Sequence, residues 1–500
     1  MSKTTRILLF CLVLMPDVSR CFAQSNDLIV KSQQAKQLMA QGRFAEAIPI
    51  YRELNQALPN NPGLLLNLGM ALHMTGNERR SIPPLEAAVK LDPKIAPAWL
   101  FLGAARLQLG QVPAAIDALN TVLRLQPDHR DALAMLAGAL LSLDRAAEGA
   151  EQYGKLAELN PESSRAWYGL GRSYESLSAR AFEDLQKASP ESPYWLALAA
   201  EARLREQQLS SAFYLYRSAL TKMPAMRGLH AQLAEIYRRS EHLDWASLEE
   251  EKEQQLPKPD CHAQKLECQF RERQFLELLA SASGTRTPES YYWSSRAYNE
   301  LALQSFARMG QLPPSEEQHE LKAHIFSGQK RYADAAQEWR EALKFSPADK
   351  QIQKQLAINL KFAQDYAAAL PLLQDLLRAQ PTSAELNYLT GETVLDLQRT
   401  AEAIPLLLRA VNREPKLVSA RKALARGFLA AGKPRDAIPL LKAALAADED
   451  GSLHYQLARA YQAVGQTALA QEMLEAYQKT QRSAAAATET ARRDAEITPP

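Results

Sequence analysis

The sequence predicts an all-α solenoid built from a 34-residue helix–turn–helix unit, and three observations point to it. Prolines recur at that step in two sets, Pro59, Pro93, Pro127, Pro161 and then Pro313, Pro347, Pro381, Pro415. Glycine is scarce, at 20 residues in 500, and alanine is frequent, which favours helix. The same residue types also return at the same distance from each proline. A repeat array escapes the usual division of so long a chain into separate globular domains, because each unit buries its apolar face only against its neighbours.

Within a unit each element has its own signature. The first helix opens on Pro62-Gly-Leu-Leu-Leu-Asn-Leu68-Gly69, and the next unit repeats it with Trp99 and Leu102-Gly103. Trp167, Leu170-Gly171 and Tyr174 follow the same pattern. Gly69, Gly103 and Gly171 are small, so the second helix can approach the first closely. Gly42, Gly76 and Gly110 close the turn, where positive φ costs glycine little. Ala47, Ala115, Ala335, Ala369, Ala403 and Ala437 are the small contact of the second helix. Ser81 and Gly149 stand in that place in two other units. Pro49, Pro83, Pro371, Pro405 and Pro439 fall just after it, and are expected in the first turn or so, where a missing N–H costs little. The unit-ending proline stops the second helix and sets the start of the next unit.

This combination of Trp, Leu-Gly, Tyr, Ala and Pro at matching offsets resembles the tetratricopeptide repeat. The resemblance covers residues 28–256 and 316–480, in about twelve units. It implies a right-handed superhelix whose first helices, here called A helices, line a concave groove. Residues 481–500 are expected to be a disordered tail, with an alanine run and Pro499-Pro500.

The proline step fails twice. Between Pro161 and Pro190 it is short, and no turn glycine stands near Ser176-Leu-Ser178. Between Pro224 and Pro313 it is lost, and residues 257–315 are expected to form an irregular helical joint. That joint carries Cys261 and Cys268, the acidic run Glu249-Glu250-Glu251 lies just before it, and Tyr291-Tyr292-Trp293 lies within it. It is either a change of pitch between two repeat blocks or a partner-specific insertion.

The N-terminus reads as an export signal. Lys3 and Arg6 precede the apolar run Ile7 to Met15, and Cys21-Phe22-Ala23 supplies small residues for cleavage after Ala23. A lipoprotein acylated at Cys21 is the minor alternative, because Arg20 occupies a place that needs a small residue. Removing residues 1–23 takes away Lys3, Arg6, Arg20 and Asp17, so the formal charge falls from +2 to 0. No other run is long and apolar enough to cross a bilayer. The expected location is periplasmic or secreted, and there Cys261 and Cys268 are expected to form a disulfide. On one straight helix they would lie roughly 10 Å apart, so a bend is required, and Pro257 and Pro259 favour one.

Catalytic and metal chemistry is not expected. His319 and His324 are five apart, which turns them off a shared helical face. Ser419-Ala-Arg-Lys422 matches Ser-x-x-Lys without its companion motifs, and Gly169-Leu-Gly171 lacks a third glycine. Near-equal counts of 59 basic and 57 acidic residues give no basic face for nucleic acid. No cofactor is expected.

The family analogy places Leu66, Met70, Met74, Leu100, Leu107, Leu141 and Tyr168 in the groove, an apolar and methionine-bearing surface suited to varied partners. Lys354, Lys361, Lys422 and Arg426 are expected to make it more basic further on. The Lys and Asn set with which some members hold a C-terminal carboxylate is absent there. The expected function is a non-enzymatic scaffold for a protein or peptide partner, associated with cell-envelope assembly. The alternative is an accessory subunit for an envelope polysaccharide or secretion enzyme, with Tyr168, Tyr388 and Trp293 as candidate sugar-stacking aromatics.

Overall fold

In the computed structural model, residues 15–494 and 496–500 are described, with side chains described for 27–485 and 496–500. The export-signal residues 1–14 lie outside that range, and so do the side chains around Ala23. The described chain is all helix, turn and loop, with 26 α-helices. They are α1 (Met15–Ala40), α2 (Phe44–Ala57), α3 (Pro62–Met74), α4 (Glu78–Leu91), α5 (Ala96–Gln108), α6 (Val112–Leu125), α7 (Arg130–Ser142), α8 (Ala146–Leu159) and the long α9 (Ser164–Ala188). Then come α10 (Pro193–Arg205), α11 (Leu209–Lys222), α12 (Leu229–Arg239), α13 (Leu243–Gln255), α14 (Lys265–Arg271), α15 (Phe275–Ala282) and the long α16 (Pro288–Gly310). The rest are α17 (Glu316–Gly328), α18 (Tyr332–Phe345), α19 (Lys350–Phe362), α20 (Tyr366–Ala379), α21 (Ala384–Asp396), α22 (Thr400–Arg413), α23 (Val418–Ala430), α24 (Pro434–Ala444), α25 (Ser452–Ala463) and α26 (Thr467–Asp494). They make twelve A–B pairs, the B helix being the second of each pair, and leave α9 and α16 without a sequence-adjacent partner.

The prolines act through the residue before them. Leu58, Asp92, Gln126 and Asn160 have φ between −133° and −145°, the extended backbone a pre-proline residue is pushed into. Each B helix therefore ends two residues before its proline. The proline carbonyl is then used by the residue six places on. Trp99 Nε1 donates to Pro93 O at 3.0 Å, and Trp167 Nε1 to Pro161 O at 2.8 Å. In the later units Gln353, Asn387 and Arg421 donate to Pro347, Pro381 and Pro415 at 2.9, 2.9 and 2.6 Å. Trp, Gln, Asn and Arg thus serve alike at this place, while Leu65 and Leu133 fill it in two other units without a side-chain donor.

The A–B turn demands a left-handed residue. Gly42, Gly76 and Gly110 have φ of +71° to +72°, and Asp144, Lys330, Gln364 and Gln398 take the same place at +59° to +63°. The helix-B seat is filled as expected: Ala47, Ala115, Ala335, Ala369, Ala403 and Ala437 are fully buried. Ser81 is buried there too, with its hydroxyl donating to Glu78 O at 2.8 Å. The helix-B prolines sit later than expected. Pro49 and Pro371 are the sixth residues of α2 and α20, so each withholds the N–H that would pair with a first-turn carbonyl, that of Ala45 or Ala367. Both are on the exposed side of the helix, where water can take that carbonyl.

Two compact units divide the chain, and they do not follow the repeat blocks. The first holds residues 1–178 and 298–309, the second 179–297 and 310–500. In the first, the shortened proline step is resolved as a helix without a turn, since α9 runs straight through Ser176–Ser178. Elsewhere the A-helix glycine faces a leucine of its own B helix: a Cβ on Gly69, Gly103 or Gly391 would lie 2.4, 2.9 or 2.8 Å from Cγ of Leu85, Leu119 or Leu407. Gly171 departs from the expected pairing, because its Cβ would meet Phe306 Cε1 at 2.4 Å. Tyr174 stacks on Tyr298, ring centroids 6.1 Å apart, and Tyr168 lies 6.4 Å from Phe306. The second half of α16 therefore serves as the missing B helix of this unit.

In the second unit the joint contains a short helix pair, α14 and α15, turned by Arg273 at φ +61°. Cys261 lies in the turn before α14 and Cys268 on it, and they form a disulfide with Cα atoms 5.6 Å apart. The first half of α16 packs its aromatics here. Tyr292 lies 5.2 Å from Tyr194, and Trp293 5.1 Å from Phe270. In the segment expected to be a tail, α26 continues to Asp494, and the Thr498 and Pro499 carbonyls accept hydrogen bonds from Tyr237 of α12 and Arg217 of α11.

Candidate partner-binding surface

The A-helix face is defined by places that recur with the prolines. Seven residues after Pro59, Pro93, Pro161, Pro347, Pro381 and Pro415 stand Leu66, Leu100, Tyr168, Lys354, Tyr388 and Lys422, whereas the buried Ala134 follows Pro127. All six are part-buried, so packing leaves some of each side chain accessible. Four residues further on the series includes Met70, Glu392 and Arg426.

In the first unit this face is apolar. Leu66 packs beside the core of Leu85, Ala88 and Leu102, and Leu100 and Leu107 pack beside that of Ile116, Leu119 and Leu136. Met70 and Leu141 are part-buried, and Met74 is half exposed. His73 bridges to Glu78 at 2.6 Å and meets the edge of Phe101 at 5.7 Å, giving the apolar face a polar margin. Tyr168, at the same recurring place, is part-buried with its ring 6.4 Å from that of Phe306.

In the second unit the expected excess of positive charge is not there. Lys354 pairs with Glu385 at 3.1 Å, and Lys361 with Glu392 at 2.7 Å. Arg426 pairs with Asp396 at 2.8 Å and reaches Glu392 at 3.7 Å. Lys422 Nζ donates to Ala447 O at 3.3 Å. The ladder runs across α19, α21 and α23, consecutive A helices. Its three closest pairs are 30 or 31 residues apart, one repeat less one helical turn, and Arg426 and Glu392 are one full repeat of 34 apart. That spacing was readable in the sequence, but only once the acidic residues were considered together with the lysines. Burial raises the pKa of Tyr388, and the Glu392 carboxylate beside it adds to the rise. Burial likewise raises Asp396, against the pull of Arg426.

A second polar cluster is drawn from α10, α11, α14 and α16 and from Arg227, which precedes α12. The Arg296 guanidinium lies 4.6 Å from the Phe270 ring centroid and 5.5 Å from that of Tyr292, and Nη1 donates to Tyr292 Oη at 3.1 Å. Burial pushes Tyr194 up to about 12, and Tyr292 and Tyr216 are raised for the same reason. Arg227 holds Glu267 at 3.0 and 3.1 Å and donates twice to Pro257 O, which fixes the approach to α14 and its disulfide. Trp293 is buried in this packing and offers no face for a sugar. Among the described residues no three His, Cys, Asp or Glu side chains gather as a metal-ligand set, and no helix is long and apolar enough to cross a membrane.

Models of the tetratricopeptide repeat match residues 38–83, 79–129, 100–158, 134–179, 354–416 and 422–456. No curated protein matched the chain. Among solved structures the chain is similar to MamA, at 25% identity over 39% of this chain and 91% of that one, TM-score 0.29. It is also similar to a tetratricopeptide repeat protein from Parabacteroides merdae, at 14% identity over 67% and 98%, TM-score 0.32. A third is the first tetratricopeptide domain of Spaghetti (RPAP3) bound to an HSP90 peptide, at 27% identity over 23% and 92%, TM-score 0.23. The repeat matches on both sides of the joint, with the recurring prolines, turns and helix pairs described above, place this chain in the tetratricopeptide-repeat family.

Proposed function

We propose that this protein is an exported, non-enzymatic scaffold that holds a protein or peptide partner on its A-helix face, in the setting of cell-envelope assembly. The observation that carries this reading is the recurring place seven residues after the proline. Its side chain is part-accessible in six units, though not at the buried Ala134, and its chemistry changes from Leu66 and Leu100 to Lys354, Tyr388 and Lys422. A place released from packing and varied from repeat to repeat can recognise an extended sequence or a helix, with apolar anchors in the first unit and hydrogen-bonding groups in the second. Export is supported by the Lys3 to Ala23 pattern, and the Cys261–Cys268 pair suits an oxidising compartment.

Two measurements test this. A photo-crosslinking amino acid at Met74 or Leu100, in cells, should trap a defined partner. The same probe at Leu408, an exposed residue of the B helix α22, should not. Equal or background-level recovery from all three sites would sink the groove reading. N-terminal sequencing of the mature protein should begin at Gln24, and an intact Met1 would remove the export claim. The polysaccharide-accessory alternative is weakened by the burial of Trp293.

A further inference from the structure

Thr498, Pro499 and Pro500 lie against a furrow between the B helices α11 and α13, with α12 as its floor. A recess of about 280 Å³ remains there, lined by Arg217, Leu220, Pro224, His230 and Leu233 on one side and by Pro500 on the other. Tyr237 Oη donates to Thr498 O at 2.7 Å, and Arg217 Nη1 donates to Pro499 O at 3.4 Å. Both donors are held in place. The Tyr237 ring is fully buried, edge-on to Phe213 and Trp245 at 5.6 Å each. The Arg217 guanidinium rests 5.6 Å from the Phe213 ring centroid. The charged groups at the rim are spent on one another, since Glu249 takes His230 at 2.5 Å and Lys252 at 2.8 Å.

The chemistry of furrow and segment is matched. Consecutive prolines offer carbonyls and no N–H, so a cradle for them needs donors and an apolar wall, not acceptors. Tyr237 and Arg217 are donors to carbonyl oxygen, and Leu220, Pro224 and Leu233 form the wall. Proline also restricts the free segment, which lowers the entropy lost on binding. We propose that this furrow is a binding site for an extended proline-containing segment, and that Thr498-Pro499-Pro500 fills it in cis as a latch, competing with proline-rich segments of other proteins. The site is on the B-helix side and does not depend on the A-helix reading above.

The test uses a fluorescein-labelled, C-terminally amidated peptide Glu-Ile-Thr-Pro-Pro, followed by anisotropy up to millimolar protein. A chain ending at Asp494 should bind it saturably, and the full chain at least tenfold more weakly. In the shortened chain Tyr237→Phe, which keeps the ring packing, and Arg217→Gln should each weaken binding several-fold. Replacing both peptide prolines by alanine should do the same. Equal binding to the two chains would overturn the latch, and equal binding of the alanine peptide would overturn proline recognition. As an intramolecular readout, hydrogen exchange in α12 should quicken when residues 495–500 are removed. Unchanged exchange together with no peptide binding would overturn the site.

Discussion

Gly171 and Phe306 provide a direct probe of the helix that α16 contributes to the first unit. Adding a Cβ at Gly171 places it 2.4, 2.7 and 2.8 Å from three atoms of the Phe306 ring, far inside contact distance. The ring must move, and overpacking of this kind costs about 1–3 kcal/mol. Replacing a helical glycine by alanine returns roughly 1 kcal/mol, so Gly171→Ala alone should destabilise by up to about 2 kcal/mol. Phe306→Ala alone opens a cavity. Because Phe306 is part-exposed, about 2–3 kcal/mol is expected, below the range for a fully buried ring. In the double variant the obstruction is gone while the alanine gain remains. The double variant should therefore be more stable than the sum of the singles by about 1–3 kcal/mol. Urea unfolding followed by tryptophan emission, for which Trp167 is the nearby reporter, gives the four free energies. Long repeat arrays can unfold in stages, so hydrogen exchange in α9 supplies the local value. Additivity within about 0.5 kcal/mol would refute the assignment of α16 as the missing B helix.

Three further outcomes are expected. Gln364→Gly and Gln398→Gly should each stabilise by roughly 0.5–1 kcal/mol, because both residues hold φ above +60°; a loss of thermal stability in both would contradict the turn geometry. Glu392→Ala strips the common partner of Lys361 and Arg426, and should destabilise by about 1–3 kcal/mol while Lys361→Met in the same background recovers part of it; no recovery would mean that the ladder contributes nothing. In an ultraviolet titration Tyr194, Tyr216, Tyr292 and Tyr388 should ionise later than ordinary tyrosine, with Tyr194 near about 12, since burial favours the neutral phenol. Their stabilising contribution is complete below the unfolded value near 10 and is lost as pH rises through the folded values, so alkaline unfolding should accompany their release. Ionisation of all 17 tyrosines in one step near pH 10 would oppose this.

Much of the fold was legible because it is local. A proline forces its predecessor into extended backbone, a glycine accepts the turn, and an alanine admits a neighbouring helix, all within 34 residues. The places filled by Asp144, Lys330 and Gln364 were less visible, because the backbone imposes positive φ there without a residue type that announces it. The candidate surface was half legible. Its apolar members Leu66, Met70 and Leu100 follow the period, whereas the meaning of Lys354 and Arg426 depended on acidic partners one helix away. Charge read along one strand of sequence overstated a basic face that Glu385, Glu392 and Asp396 neutralise.

The sequence by itself determined the repeat, its family and the two stretches where the repeat fails, since each follows from short-range rules of backbone and packing. Only the tertiary structure decided what those failures are for. The continuous helix through Ser176–Ser178 leaves Gly171 without its own B helix, and residues 298–309 supply one from more than a hundred positions away. The furrow that receives Thr498 is likewise assembled from α11, α12 and α13 far upstream. No spacing rule records such contacts, because they depend on where distant helices come to rest and not on what lies beside them in the chain.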